Sequence, residues 1–210
     1  MIEDLNIVAV QESFSDYPEY LSLIFYVRDC NWDCIDCQNK CNLYDLDSMS
    51  LEEVLGYVES SKSLINHFVI SGGEPTLYPH DALFNFISEI KLIVPSAKIK
   101  LDTNGTNPYF FVLAKSFRNI DAVSMDIKAS LRDRAEYSRI CGRNIYLSPI
   151  ISSVKHLKEW SEMGKSIEFR TTLVDDQIKI DDIYDSLKEV VGGELGNISY
   201  TVNTNIIRKI

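Results

Sequence analysis

Apolar runs bounded by Gly, Pro and Asn alternate along this chain with stretches whose apolar positions recur at helical spacing. The runs predict strands over Tyr20–Arg28, Asn66–Ser71, Lys98–Leu101, Ala122–Ile127, Ile167–Val174 and Asn197–Asn203, rich in β-branched and aromatic residues. The intervening segments predict helices. One starts at Ser50-Leu-Glu-Glu53, which has capping-box spacing, and runs to about Ser61. Another spans Pro79–Val94, with Leu83, Phe84, Ile87 and Ile90 on one side. Others span Tyr109–Phe117, Arg132–Ile140, Pro149–Met163 (Ser148 as N-cap, Gly164 past its end) and Asp181–Val191, stopped by Gly192-Gly193.

Strand and helix in alternation imply a parallel α/β sheet with right-handed crossovers. An eight-unit barrel takes about 250 residues, so six units suit 210 residues better. The expected fold is an open, partial (β/α)6 barrel, one domain over residues 1–210 with its core motifs at about 20–174. Several strands depart from the uniformly apolar pattern of a parallel sheet covered on both faces. Lys98, Lys100 and Asp102 share a face, as do Ser124, Asp126 and Lys128, and Glu168, Arg170 and Thr172. A polar inner face predicts a wet or ligand-filled interior.

Charge and composition narrow the function. A formal net charge of −10 argues against non-specific nucleic-acid binding, which needs basic surface. Neither a secretory signal nor an apolar run of about 18 residues is visible, so a membrane span is not expected and a cytoplasmic location is. Five cysteines in such a chain point to metal or redox use rather than a disulfide framework.

Three of those cysteines, Cys30, Cys34 and Cys37, lie within eight residues. Thiolates suit iron–sulfur clusters and zinc. A structural zinc site closes with four ligands, and the nearest fourth here is Cys41, so three thiols favour a cluster with one iron open to a non-protein ligand. Gly72-Gly73-Glu74-Pro75 ends the second predicted strand; its glycines let backbone approach a ligand, and Glu74 sets a carboxylate beside exposed carbonyls, suited to an amine. Each unusual loop, including Asp102-Thr-Asn-Gly105 and Asp126-Ile-Lys128, lies at the C-terminal end of a strand, where such folds place active sites. Cys41 and Cys141 have no assigned partner, and His67, His80 and His156 lack ligand spacing.

Cys-x3-Cys-x2-Cys, with Gly72-Gly-Glu-Pro75 some thirty-five residues downstream, closely resembles the radical S-adenosylmethionine superfamily. The resemblance implies a [4Fe-4S] cluster on Cys30, Cys34 and Cys37, and S-adenosylmethionine chelated to the open iron with Gly72–Pro75 at its amino group. It implies reductive cleavage to a 5′-deoxyadenosyl radical that abstracts a hydrogen atom. The aromatic residue usual before the third cysteine is replaced by Asp36, with Trp32 as the nearby alternative for adenine, and the usual His-Asn after it by Gln38-Asn39. Leu101–Gly105, Met125–Lys128, Ser15-Asp-Tyr-Pro18 and Glu168-Phe-Arg-Thr-Thr172 narrow the likeness to activating enzymes of glycyl-radical proteins, particularly the class serving anaerobic ribonucleoside-triphosphate reductase. That resemblance implies a glycyl-radical partner, a flavodoxin- or ferredoxin-type electron donor, cofactor contacts from Thr103, Asn104 and Lys128, and a monovalent cation at Asp102, Thr103 and Asp126. An Asx turn at Asp102–Gly105 and an Asp126–Lys128 ion pair are the plainer readings of the same residues. Arg170 is expected either on the methionyl carboxylate or neutralising Glu168. Two other classes remain open: a stand-alone radical enzyme acting on a small molecule or peptide, such as a 7-carboxy-7-deazaguanine synthase-like protein, and a zinc-stabilised binding module.

Overall fold

A computed structural model describes residues 5–17, 19–35, 37, 39, 43–175 and 178–203. Pro18, Asp36, Gln38, Cys41 and residues 204–210, on which some of the expectations above fall, lie outside the described residues. Seven strands and six helices occur among them. The strands are β1 (Ile7–Ser13), β2 (Ser22–Val27), β3 (His67–Gly72), β4 (Lys98–Thr103), β5 (Ala122–Asp126), β6 (Ser166–Thr172) and β7 (Ser199–Asn203). The helices are α1 (Leu51–Ser61), α2 (His80–Ile93), α3 (Pro108–Phe117), α4 (Arg134–Ile140), α5 (Leu147–Glu162) and α6 (Ile180–Val191). The strands follow chain order in one sheet.

The six predicted strands and six helices are all present. β1 is an addition, antiparallel to β2 with an irregularity between Ile7 and Ala9. Its burial fades from Ile7 and Val8 to exposed Gln11 and Glu12, so it carries no sustained alternation. β2–β3, β3–β4 and β6–β7 pair in parallel. The α1 capping box forms as expected, Ser50 Oγ accepting from Glu53 N–H while the Glu53 carboxylate accepts from Ser50 N–H. At α5 the expectation was wrong by two residues: Tyr146, not Ser148, is the N-cap, without a side-chain bond. Pro149 then sits in the first turn, where no N–H is needed. Gly192, at φ +78°, ends α6 in the left-handed conformation.

Two compact units divide the chain. The first comprises the described residues of Met1–Asn31, Gln38–Thr103 and Leu113–Ala122. Its core holds Phe25 of β2, with Phe86 of α2 edge-on at 5.0 Å and Phe68 of β3 stacked at 6.2 Å. Phe86, rather than the predicted Phe84, joins Leu83, Ile87 and Ile90 on the buried side of α2. The second comprises the described residues of Trp32–Cys37, Asn104–Val112 and Val123–Ile210. Its core includes Val123 and Met125 of β5, Ile150, Val154 and Leu157 of α5, and Phe111 packed edge-on to Trp160 at 5.8 Å. No helix of the described residues is long and apolar enough to cross a membrane.

Phe86 is 0% exposed and Leu92, on the same helix, 73%. Phe86→Ala is expected to cost about 3–5 kcal/mol in denaturant unfolding, and Leu92→Ala to stay within about 0.5 kcal/mol.

Candidate functional site

The first unit carries Cys30, Gly72–Pro75, Asp102 and Thr103. β2 and β3 run side by side to the pair Val27↔Gly72. Beyond that pair the backbones stay joined, Gly73 N–H donating to the Val27 carbonyl and Glu74 N–H to the Asp29 carbonyl, each at 2.7 Å. A Cβ on Gly72 would lie 2.4 Å from the Val27 oxygen, and one on Gly73 2.1 Å from the Asp29 oxygen. The glycines are therefore required by the neighbouring strand's own backbone, a nearer cause than the approach of a ligand. The junction leaves Cys30, next after Asp29, at a fixed chain distance from Gly72–Pro75. Asn39 Nδ2 donates to the Gly72 carbonyl at 2.7 Å, so the residue that keeps the usual Asn after the third cysteine supports this turn.

Asp29 and Tyr78 were not singled out by sequence. Tyr78 Oη donates to Asp29 Oδ2 at 2.7 Å, accepts from Asp29 N–H at 3.1 Å, and Asn6 Nδ2 donates to the same carboxylate at 3.0 Å. Burial, and then the adjoining Asp29 carboxylate, push the Tyr78 hydroxyl well above its ordinary pKa, so it remains a donor. The only signal for these two is Tyr78's place just after the Pro75 turn, too common a pattern to be read.

Glu74 is fully buried. Its Oε1 accepts from Thr76 N–H at 3.1 Å, Thr76 Oγ1 at 2.5 Å and Thr103 Oγ1 at 2.7 Å. The carboxylate thus caps the 3-10 turn Pro75–Leu77 and ties it to the end of β4. Asp102, also buried, accepts from Ser71 Oγ at 3.0 Å and lies 3.4 Å from Lys100 Nζ. Lys100 also donates to the Asp16 carbonyl, anchoring the Ser15–Tyr17 segment.

The second unit carries Cys34, Cys37, Asn104, Asp126, Lys128 and Arg170. Asn104 Oδ1 accepts from Thr106 N–H at 3.0 Å and Thr106 Oγ1 at 2.7 Å, an Asx turn beginning two residues later than expected. Asp126 lies 2.8 Å from Lys128 Nζ and 3.3 Å from Arg170 Nη2. Burial alone would raise the Asp126 pKa; the two cations outweigh it and hold the carboxyl below its usual range. Arg170 is thus drawn to Asp126, a partner that the strand pattern did not pick out, while Glu168 accepts from Ser124 Oγ and Thr201 Oγ1, each at 2.6 Å. All three residues expected around a monovalent cation are engaged with protein groups: Thr103 with Glu74, Asp102 with Ser71 and Lys100, and Asp126 with Lys128 and Arg170. Trp32 is 5% exposed and packs edge-on to Tyr137 at 6.0 Å.

Among the described residues no disulfide joins Cys30, Cys34, Cys37 or Cys141. A hydrogen bond with Cys141 lowers the Cys34 pKa to about 7 against the opposing effect of burial, with the Lys128 charge helping. A thiol poised at neutrality, in a segment with two more cysteines, is donor chemistry that fits an iron–sulfur cluster. Among the described residues no three His, Cys, Asp or Glu side chains are already gathered within metal-binding range.

A sequence model of the Radical SAM superfamily matches residues 24–191. "Putative glycyl-radical enzyme activating enzyme MJ1227" of Methanocaldococcus jannaschii is 30% identical over 184 residues, 86% of this chain and 73% of its own length. Among solved structures, Streptococcus suis SuiB bound to S-adenosylmethionine matches 91% of the chain with a TM-score of 0.59 at 16% identity. Native anSMEcpe with bound AdoMet matches 87% with a TM-score of 0.61 at 15% identity. The chain spans 42% and 50% of those two proteins, and the likeness to them is one of fold: the partial-barrel α/β architecture expected from sequence.

At Gly73 a side chain would meet backbone, which cannot swing aside. Gly73→Ala is expected to lose about 1–3 kcal/mol of unfolding free energy. Gly56→Ala, in α1 with nothing within 4 Å of an added Cβ, should gain about 0.5–1 kcal/mol. Equal midpoints for the two variants in urea would refute the close approach.

Proposed function

The chain belongs to the radical SAM superfamily, and from that premise we propose that it is the activating enzyme of a glycyl-radical protein, taking a hydrogen atom from a glycine of its partner. Membership brings the [4Fe-4S] cluster and S-adenosylmethionine. Together these supply, when bound, a one-electron cleavage of the sulfonium that leaves a carbon radical able to abstract hydrogen. The activating role is supported chiefly by the Methanocaldococcus jannaschii relative, aligned over most of both chains.

In this reading Cys30, Cys34 and Cys37 would hold the cluster. The Gly72–Pro75 turn would receive the amino group of S-adenosylmethionine through its backbone carbonyls, since the Glu74 carboxylate is already committed to Thr76 and Thr103. Asn104, Lys128 and Arg170 would orient the rest of the cofactor, with Asp126 holding the two cationic side chains in place. The anaerobic ribonucleoside-triphosphate reductase is the partner we favour, on the strength of the Ser15–Pro18, Leu101–Gly105, Met125–Lys128 and Glu168–Thr172 segments.

Anaerobically reconstituted protein, mixed with that reductase, S-adenosylmethionine and a strong reductant, is expected to give the EPR doublet of a glycyl radical. Cys34→Ala should reduce both the doublet and 5′-deoxyadenosine formation to background. Cofactor cleavage by the parent protein with no doublet would sink the activating role.

A further inference from the structure

Cys141 has no part in the reading above. It caps the C-terminus of α4 and is fully buried. A buried cysteine is ordinarily a small apolar filler, but this one shares a hydrogen bond with the thiol of Cys34. The backbone brings the two residues together. Asp33 N–H donates to the Cys141 carbonyl at 2.9 Å and Ile35 N–H to the Ile140 carbonyl at 3.1 Å, so the residues on both sides of Cys34 are strapped to the end of α4. Gly142, at φ +65°, permits the approach: a Cβ there would lie 2.0 Å from the Asp33 oxygen. The same helix supplies Tyr137, against which Trp32 packs. The backbone on both sides of Cys34 is therefore held against the end of α4, where the Cys141 thiol meets that of Cys34.

We propose that Cys141 is a positioning residue for the iron–sulfur cluster, its S–H donating to the Cys34 sulfur and raising the reduction potential of the cluster. The proposal rests on the assignment of Cys34 as a cluster ligand. A ligating sulfur carries no proton, so the hydrogen in this contact has to come from Cys141. A donor to a cluster sulfur stabilises the more negative, reduced state, and a buried donor meets no competition from water. The thiol also fixes which way the Cys34 side chain points.

The test is an EPR-monitored redox titration of reconstituted parent protein, Cys141→Ala and Cys141→Ser, with iron and sulfide content measured on each. Cys141→Ala, carrying a full cluster, is expected to shift the reduction equilibrium about tenfold towards the oxidised form, about 59 mV more negative for a one-electron couple. Cys141→Ser keeps a donor and should return most of the way to the parent value. A parent-like potential in Cys141→Ala would overturn the proposal. So would equal shifts in both variants, which would make volume the cause rather than the proton. Should only the Ala variant fail to take up a cluster while the Ser variant assembles at a parent-like potential, the donor role stands; failure of both overturns it. A parent protein that takes up no cluster fails at the ligand assignment itself, an outcome separate from these.

Discussion

The constraint on which the candidate residues of the first unit depend is the continuation of main-chain bonding beyond the ends of β2 and β3. Strands normally diverge where they stop, because their side chains and loops need room. Here Gly73 and Glu74 remain bonded to Val27 and Asp29, and the lack of a Cβ at two successive positions makes that spacing attainable. Cys30 therefore emerges in register with the Gly72–Pro75 turn rather than from an independent loop. Tyr78, Asn6 and Asn39 act on this junction from three other points of the chain. The buried Glu74, satisfied by Thr76 and Thr103, extends it to the end of β4. A buried carboxylate without such donors would be costly; with them it becomes a rigid tie.

The second unit solves a similar problem with a helix end. A helix leaves its last carbonyls without internal partners, and the Cys34 segment supplies two N–H groups to that end of α4, again beside a glycine. The charges on β5 and β6 are arranged around Asp126, whose carboxylate faces both Lys128 and Arg170. Such a cluster is tolerable at low exposure because the opposite charges compensate one another.

Much of this was legible in the sequence because it depends on periodicity and spacing. The strands β3 and β4, expected to end at Ser71 and Leu101 and found to end at Gly72 and Thr103, the Ser50–Glu53 capping box and the Gly192 stop are local features with local signatures. The cysteine spacing together with Gly72–Pro75 is by itself enough to point to the family. What escaped depends on contacts between segments distant in sequence. β1 was missed because its polar half faces outward and its stability comes from pairing with β2. The glycine pair was taken as room for a ligand, since nothing in a one-dimensional pattern shows how close Val27 and Asp29 come. Glu74 looked available to an amine because Thr103, twenty-nine positions on, was not known to donate to it. Cys141 looked ordinary for the same reason: its meeting with Cys34 is made by the α4 terminus, more than a hundred residues after the motif.

The most direct measurement is amide hydrogen exchange at Gly73 and Glu74. If the exits of β2 and β3 are joined as described, these two amides are protected to the same degree as those of Val69 and Ile70 within β3, with or without S-adenosylmethionine. Exchange of both at the rate of an open loop would contradict the account.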